Sequence, residues 1–391
     1  MRNGSQLGIG LLGCSLMSCS FTANSGNGTS DARDNLDGQP QDAAPDSPLI
    51  DAPAVAFVVD HLGVVAPSLL VGTIVIDVPT QISDLQLVSA TQTAGGGQIS
   101  VLYFDTLIVN ARFNMDGNKP VLLVGNRITI NTNGGINAGA NGIDAFAGGS
   151  DFTTGGLGGG GTGASQVGGT GADSGGGGGG FGTMGGLGGT LNQAAVAAGT
   201  AGPTYGTARV ATMLGGSAGG DSACDSNIAR GGAGGGALQL TARQFIILNG
   251  PISAAGGGGA AGKECNNDYD SGAGGGSGGL IFIQTLILTM NNSSGLYANG
   301  GGGGAAAQNV SPFLGTAGQN GVIGTTAAPG GVAANAQTDR NGGNGGVQGI
   351  APSNGGNGNN SGGGGGAVGR IVIHGPTPTG GSFSPTPVVY N

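Results

Sequence analysis

The chain has 391 residues, 94 of them glycine and 16 proline, with hydrophobic residues at 37% and charged residues at 8%. Glycine at that level brings low complexity into play, yet the apolar residues come in blocks, which fits a folded skeleton carrying glycine-rich loops. Glu264 is the sole glutamate, Lys119 and Lys263 are the only lysines, and the net charge is −9; this argues against long helices, against a basic face for phosphates, and so against nucleic acid as a partner.

Residues 1–19 read as an export signal: Arg2, an apolar run from Leu7 to Met17, then small residues and a cysteine. The run is too short for an anchor helix. Leu16-Met17-Ser18-Cys19 resembles the bacterial lipobox, which implies that Cys19 becomes the lipidated first residue of the mature protein. Leu11-Leu12-Gly13-Cys14 is a second match with a shorter apolar core. Residues 20–53 follow as an extended, self-repelling tether, with Asp31, Asp34, Asp37, Asp42, Asp46 and Asp51 set among Pro, Ala and Gly.

From residue 54 the character changes. Strand-like blocks stand at 55–59, 68–78, 99–110 and 121–131, with period-two alternation in Thr73-Ile74-Val75-Ile76-Asp77 and Arg127-Ile128-Thr129-Ile130-Asn131. Asp116-Gly117-Asn118 and Asn133-Gly134-Gly135 supply turns between them. "GANGIDAFA" at 139–147 is one residue from a calcium nonapeptide, but such arrays repeat in tandem and this copy stands alone, so Asp144 reads as a turn residue.

Later blocks align with one another, starting at Val121, Ala237, Leu280 and Ala367. Each has an apolar strand, glycine or proline, and a last apolar touch at Ile136, Ile252, Leu296 or Phe383. Units that cannot bury a face alone do so by stacking. The expected fold over 54–391 is therefore all-β, a parallel β-helix or solenoid-like body with long glycine-rich loops. Polyglycine-II-like packing is one form for runs such as Gly175 to Gly180, Gly300 to Gly304 and Gly362 to Gly366; the other is loose chain. Residues 306–360, sparse in apolar pairs such as Val322-Ile323, are expected as a large protease-sensitive loop.

The lipobox cysteine, the Asp/Pro-rich tether and the repeated glycine units, closing in "GGGGGAVGRIVIHG" and "SFSP", resemble glycine-rich surface lipoproteins of myxobacteria and related bacteria. The resemblance spans nearly the whole chain and implies an address, the outer membrane or cell surface, and an architecture. It implies no activity.

Candidate chemistry is sparse. His61 and His374 are far apart in sequence, and His374 reads as a strand-end surface residue. No GxSxG elbow, P-loop, HExxH or CxxC occurs, and no cofactor is expected. Asp221, Asp225, Glu264, Asp268 and Asp270 form the one acidic grouping; a solvated loop, a structural calcium and paired catalytic carboxylates are its three readings. Cys224 and Cys265 are the thiols left once the signal is removed and Cys19 acylated. Each precedes a repeat start by a similar distance, so stacking would bring them together as a disulfide. The expected function is structural or adhesive and non-catalytic, with the membrane as partner through the lipid and an extracellular polysaccharide or neighbouring cell surface as target. The alternatives are a carbohydrate-active β-helix enzyme, and an ice-binding or matrix-coating face.

Overall fold

Parallel pairing of the repeated blocks organises the chain. The computed structural model describes residues 58–59, 62–93, 95–165, 173–190, 196–223, 228–265, 268–307, 314–334 and 338–391, all within the unit Ala52–Asn391. Cys14, Cys19, residues 20–53, His61, Cys224 and Asp225 lie outside the described residues. Among those described, a ten-stranded sheet runs beside a six-stranded one. Each repeat gives its long strand to the first, as Val121–Ile130, Ala237–Leu248, Leu280–Thr285 and Arg370–His374 do. Its short touch goes to the second, as Gly135–Asn137, Pro251–Ser253, Gly295–Tyr297 and Ser382–Ser384 do.

Alternation explains the layering. Leu123, Leu240, Ile283 and Ile373 point from the large sheet to the small one, where Phe113, Ile136, Ile252 and Leu296 meet them in one core. Val101, Leu122, Val124, Phe282 and Val372 point the other way and are covered by Phe181, Val210 and Met213. Both faces of the large sheet are thus buried, as a parallel sheet requires.

The alignment of repeats holds in the pairing. Ala237 lies opposite Leu280, and Ile136, Ile252, Leu296 and Phe383 pair in one row. Two starts are displaced. Val121 sits opposite Leu238, and Leu280 faces Arg370 rather than Ala367. In the last repeat, Ala367, Val368 and Gly369 finish the preceding glycine segment.

The expected parallel β-helix is not what forms. Its coils would be of similar length, with glycine runs looping between them. Instead the strands make two separate sheets in long, mainly parallel order, with an antiparallel pair, Val88–Thr91 and Gln98–Tyr103, near one end. Between Asn137 and Ala237 no described residue belongs to either sheet. Long parallel order of this kind is familiar from doubly wound α/β sheets, whose crossovers are helices. Here, among the described residues, the helices are two single 3-10 turns, Ile82–Asp84 and Thr338–Arg340, and glycine segments provide the crossovers.

Those segments are not loops. Along 175–180, successive N–H groups donate to Gly189, Gly272, Gly161, Gly186, Gly275 and Gly158. Every third residue therefore returns to the same neighbour, the signature of an extended helix with three residues per turn and no internal hydrogen bonds. Segment 270–279 donates in turn to 361–367, 254–260 and 217–220, and accepts from 176–179, 232–235 and 301–304. It is enclosed on all sides by other glycine segments. Side-chain size decides which residues can do this: a Cβ on Gly274 would lie 1.9 Å from the Gly177 carbonyl oxygen, and one on Gly178 would lie 1.9 Å from that of Gly365.

The described residues of the stretch 306–360, expected as a loop, also join this body. Gly318 donates to Gly259, Gly331 to Gly303, Gly343 to Gly363 and Gly356 to Asn341. The repeats at Ala237 and Leu280 therefore enter by a glycine rod, cross the large sheet, turn, cross the small sheet and leave by another rod.

Candidate functional site

Where the small sheet meets the rods there is a cleft of about 490 Å³. Its floor is a row of residues on the face away from the core, one from each adjacent strand: Gln81, Asn114, Asn137 and, buried at the inner end, Ser253. Pairing puts them in one line, with Gln81 opposite Asn114, Asn114 opposite Asn137 and Asn137 opposite Ser253. Their neighbours Phe113, Ile136 and Ile252 point inward to the core, so strand alternation alone sends the amides to the cleft. Steps between them are about 4.8 Å, the strand spacing.

One wall carries Arg112 and Asp116. The Arg112 Nε–H donates to Asn114 Oδ1 at 2.9 Å, and Asn137 Nδ2 donates to the same oxygen at 3.4 Å. Asp116 accepts from the Ser83 N–H at 2.9 Å and from the Ser83 hydroxyl. The opposite wall comes from the glycine body: Asn320 Oδ1 accepts from Gly142 at 2.8 Å and Gly258 at 2.9 Å, and its Nδ2 donates to Asn141 Oδ1 at 3.1 Å. Phe146 and Ile323 add apolar surface there. The cleft is polar and uncharged apart from the Arg112 and Asp116 side chains.

The acidic grouping divides. Asp221 accepts from Arg230 Nη1 at 2.8 Å and from the Gly231 N–H at 2.8 Å. Asp270 is fully buried, and burial pushes its carboxyl up to about 6; the charge of Asp173 acts in the same direction, against hydrogen bonds from Ser222 and Ala229. Asp173 is buried as well. Glu264–Cys265 pairs antiparallel with Asp268–Tyr269, placing Cys265 opposite Asp268. Its expected disulfide partner, Cys224, lies outside the described residues, as does Asp225. No cluster of three or more His, Cys, Asp or Glu fit to hold a metal occurs among the described residues.

The remaining singled-out residues fall where local chemistry puts them. Asp144 closes a tight turn with Asn141, through reciprocal backbone hydrogen bonds of 3.0 and 3.1 Å. His374 ends its strand, half-buried, stacked on Tyr390 at 4.8 Å. It borders a second cavity of about 660 Å³, beside Arg243, Gln284 and Leu286.

Sequence reasoning missed the cleft and the buried Asp173–Asp270 pair. Asn114 and Asn137 sit at equivalent places after the inward Phe113 and Ile136, a signal open to alignment of the short touches. The residues of the far wall, Asn141 and Asn320, come from stretches read as turn and loop. Comparison with known protein families, with curated proteins and with solved structures returns no match.

Proposed function

We propose that this protein is a lipid-anchored, non-catalytic surface protein with a structural or adhesive role, attached through Cys19 and held off the membrane by residues 20–53. The observation that carries the reading is the glycine body. It is a hydrogen-bonded mass whose interior segment 270–279 is enclosed by its neighbours, and it ends the small sheet at a polar cleft rather than at a chemical centre. A body of this kind resists deformation because its backbone groups are paired between segments in several directions. The cleft carries one carboxylate, Asp116, already bonded by Ser83, whereas glycosidase chemistry uses two.

Two measurements test this. Cys19→Ser should release the exported protein from membranes while Cys14→Ser should not; the opposite pattern overturns the anchor. Cells displaying the protein should attach to partner cells or matrix more than cells carrying the Cys19→Ser form, and equal attachment overturns the adhesive role.

A further inference from the structure

We propose that the cleft at the end of the small sheet binds an uncharged polysaccharide, laid across the strands with about one sugar ring per strand. The inference rests on the adhesive reading and gives it a ligand class. Its first support is spacing. Gln81, Asn114, Asn137 and Ser253 line the floor in register, and one hexopyranose advances a glycan by about the strand spacing of 4.8 Å.

The second support is hydrogen-bonding capacity. Asn114 Oδ1 is taken by Arg112 and Asn137, which leaves both Asn114 amide N–H groups without an acceptor among the described residues. Asn141 Oδ1 is taken by Asn320, and its amide N–H groups are likewise open. The Arg112 terminal nitrogens add further donors, since that guanidinium bonds only through Nε among the described residues. Sugar hydroxyls accept from such donors without bringing in a charge that must be desolvated.

Charge and shape narrow the class. On the wall the Arg112 guanidinium and the Asp116 carboxylate offset one another, and the chain carries −9 overall, so a neutral chain needs no counter-charge while a uronate chain meets the repulsion of the whole protein. Phe146 and Ile323 on the far wall give the apolar C–H face of a sugar ring something to lie against. The volume of about 490 Å³ is that of a ligand site.

The test exposes the full-length exported protein to immobilised neutral and uronate polysaccharides, then titrates it with soluble neutral oligosaccharides of increasing length. Neutral glycans should bind, with affinity rising to about three rings, one for each of Gln81, Asn114 and Asn137, and then levelling. Asn114→Ala with Asn137→Ala should weaken binding about tenfold or more with circular dichroism and melting unchanged. Asn141→Ala, on the exposed opposite wall, should weaken it without touching the sheet. Binding confined to uronate chains, no binding to any neutral glycan, or full affinity in all these variants overturns the proposal. Cell attachment that persists without neutral-glycan binding removes this ligand and leaves the adhesive role standing.

Discussion

Asp270 shows how burial fixes the behaviour of a single residue. It sits at 0% exposure among Ser222, Ala229 and Ser271, and its carboxyl is pushed from 3.8 to about 6 by burial first and by Asp173 as a lesser cause. A folded-state value above the unfolded one means that the native state holds the proton more tightly. Its contribution is fully present below about pH 4 and is lost as pH rises through about 6. Two units correspond to a swing on the order of 3 kcal/mol. Asp270→Asn should therefore raise the melting temperature at pH 7.5 and flatten the melting profile between pH 4 and 7. An unchanged profile would show that the group titrates normally.

Gly274 makes the same point about size. Its added Cβ would lie 1.9 Å from the Gly177 carbonyl oxygen, a backbone atom held by its own hydrogen bond from Gly220. Ala273, next along the same rod, is fully buried and has room for its methyl group. Gly274→Ala should cost about 3 kcal/mol or more, at or above the usual range for overpacking, whereas Ala273→Gly should cost about 1 kcal/mol or less. Urea denaturation of the two variants side by side checks the difference.

At the scale of the element, the rods need an ending. A surface rod has backbone N–H groups with no further rod to receive them, and asparagine side chains fill that role. Asn354 Oδ1 accepts from Leu187 at 2.9 Å and Asn357 Oδ1 from Thr190 at 2.8 Å. Asn344 Oδ1 accepts from Gly330 at 2.9 Å and Asn341 Oδ1 from Ala333 at 2.8 Å. Each pair is spaced by three, one helical turn of the rod. Removing both Asn354 and Asn357 amides by alanine substitution should cost roughly 1 kcal/mol for each lost bond, and should speed proteolytic nicking between Leu187 and Thr190. A variant as stable and as resistant as wild type would contradict the capping role.

These elements were unequally legible in the sequence. Strands announced themselves because Thr73 to Asp77 and Arg127 to Asn131 alternate between core and solvent, and Ile136, Ile252, Leu296 and Phe383 share one row because each fills the same gap between the sheets. The rods were legible only as one of two readings, polyglycine-II-like packing or loose chain, since a glycine has no side chain whose periodicity could be read. Their period of three survives only in what interrupts them, as in "NGGNGG" at 341–346 and "NGGNGN" at 354–359. The β-helix reading failed for the same reason: it assigned to loops the glycine segments that pack as a separate body. The cleft was hidden because its floor and far wall are joined by folding, Asn114 and Asn137 from strands, Asn141 and Asn320 from the glycine body.

At the largest scale, the described residues of the unit Ala52–Asn391 form two mainly parallel sheets continued into a glycine body, with the cleft at their junction. Packing backbone against backbone needs no large side chains, so the enclosed rods add bulk with little more than glycine, alanine and serine. A stiff body requires rods as ordered as the strands. Amide hydrogen exchange across residues 270–285 compares the two within one continuous stretch, since rod 270–279 runs directly into strand Leu280–Thr285. Gly272 to Gly279 should be protected as strongly as Ile281 to Ile283, opening only with global unfolding. Exchange of those glycine amides at the rate of free chain, beside protected strand amides, would contradict it.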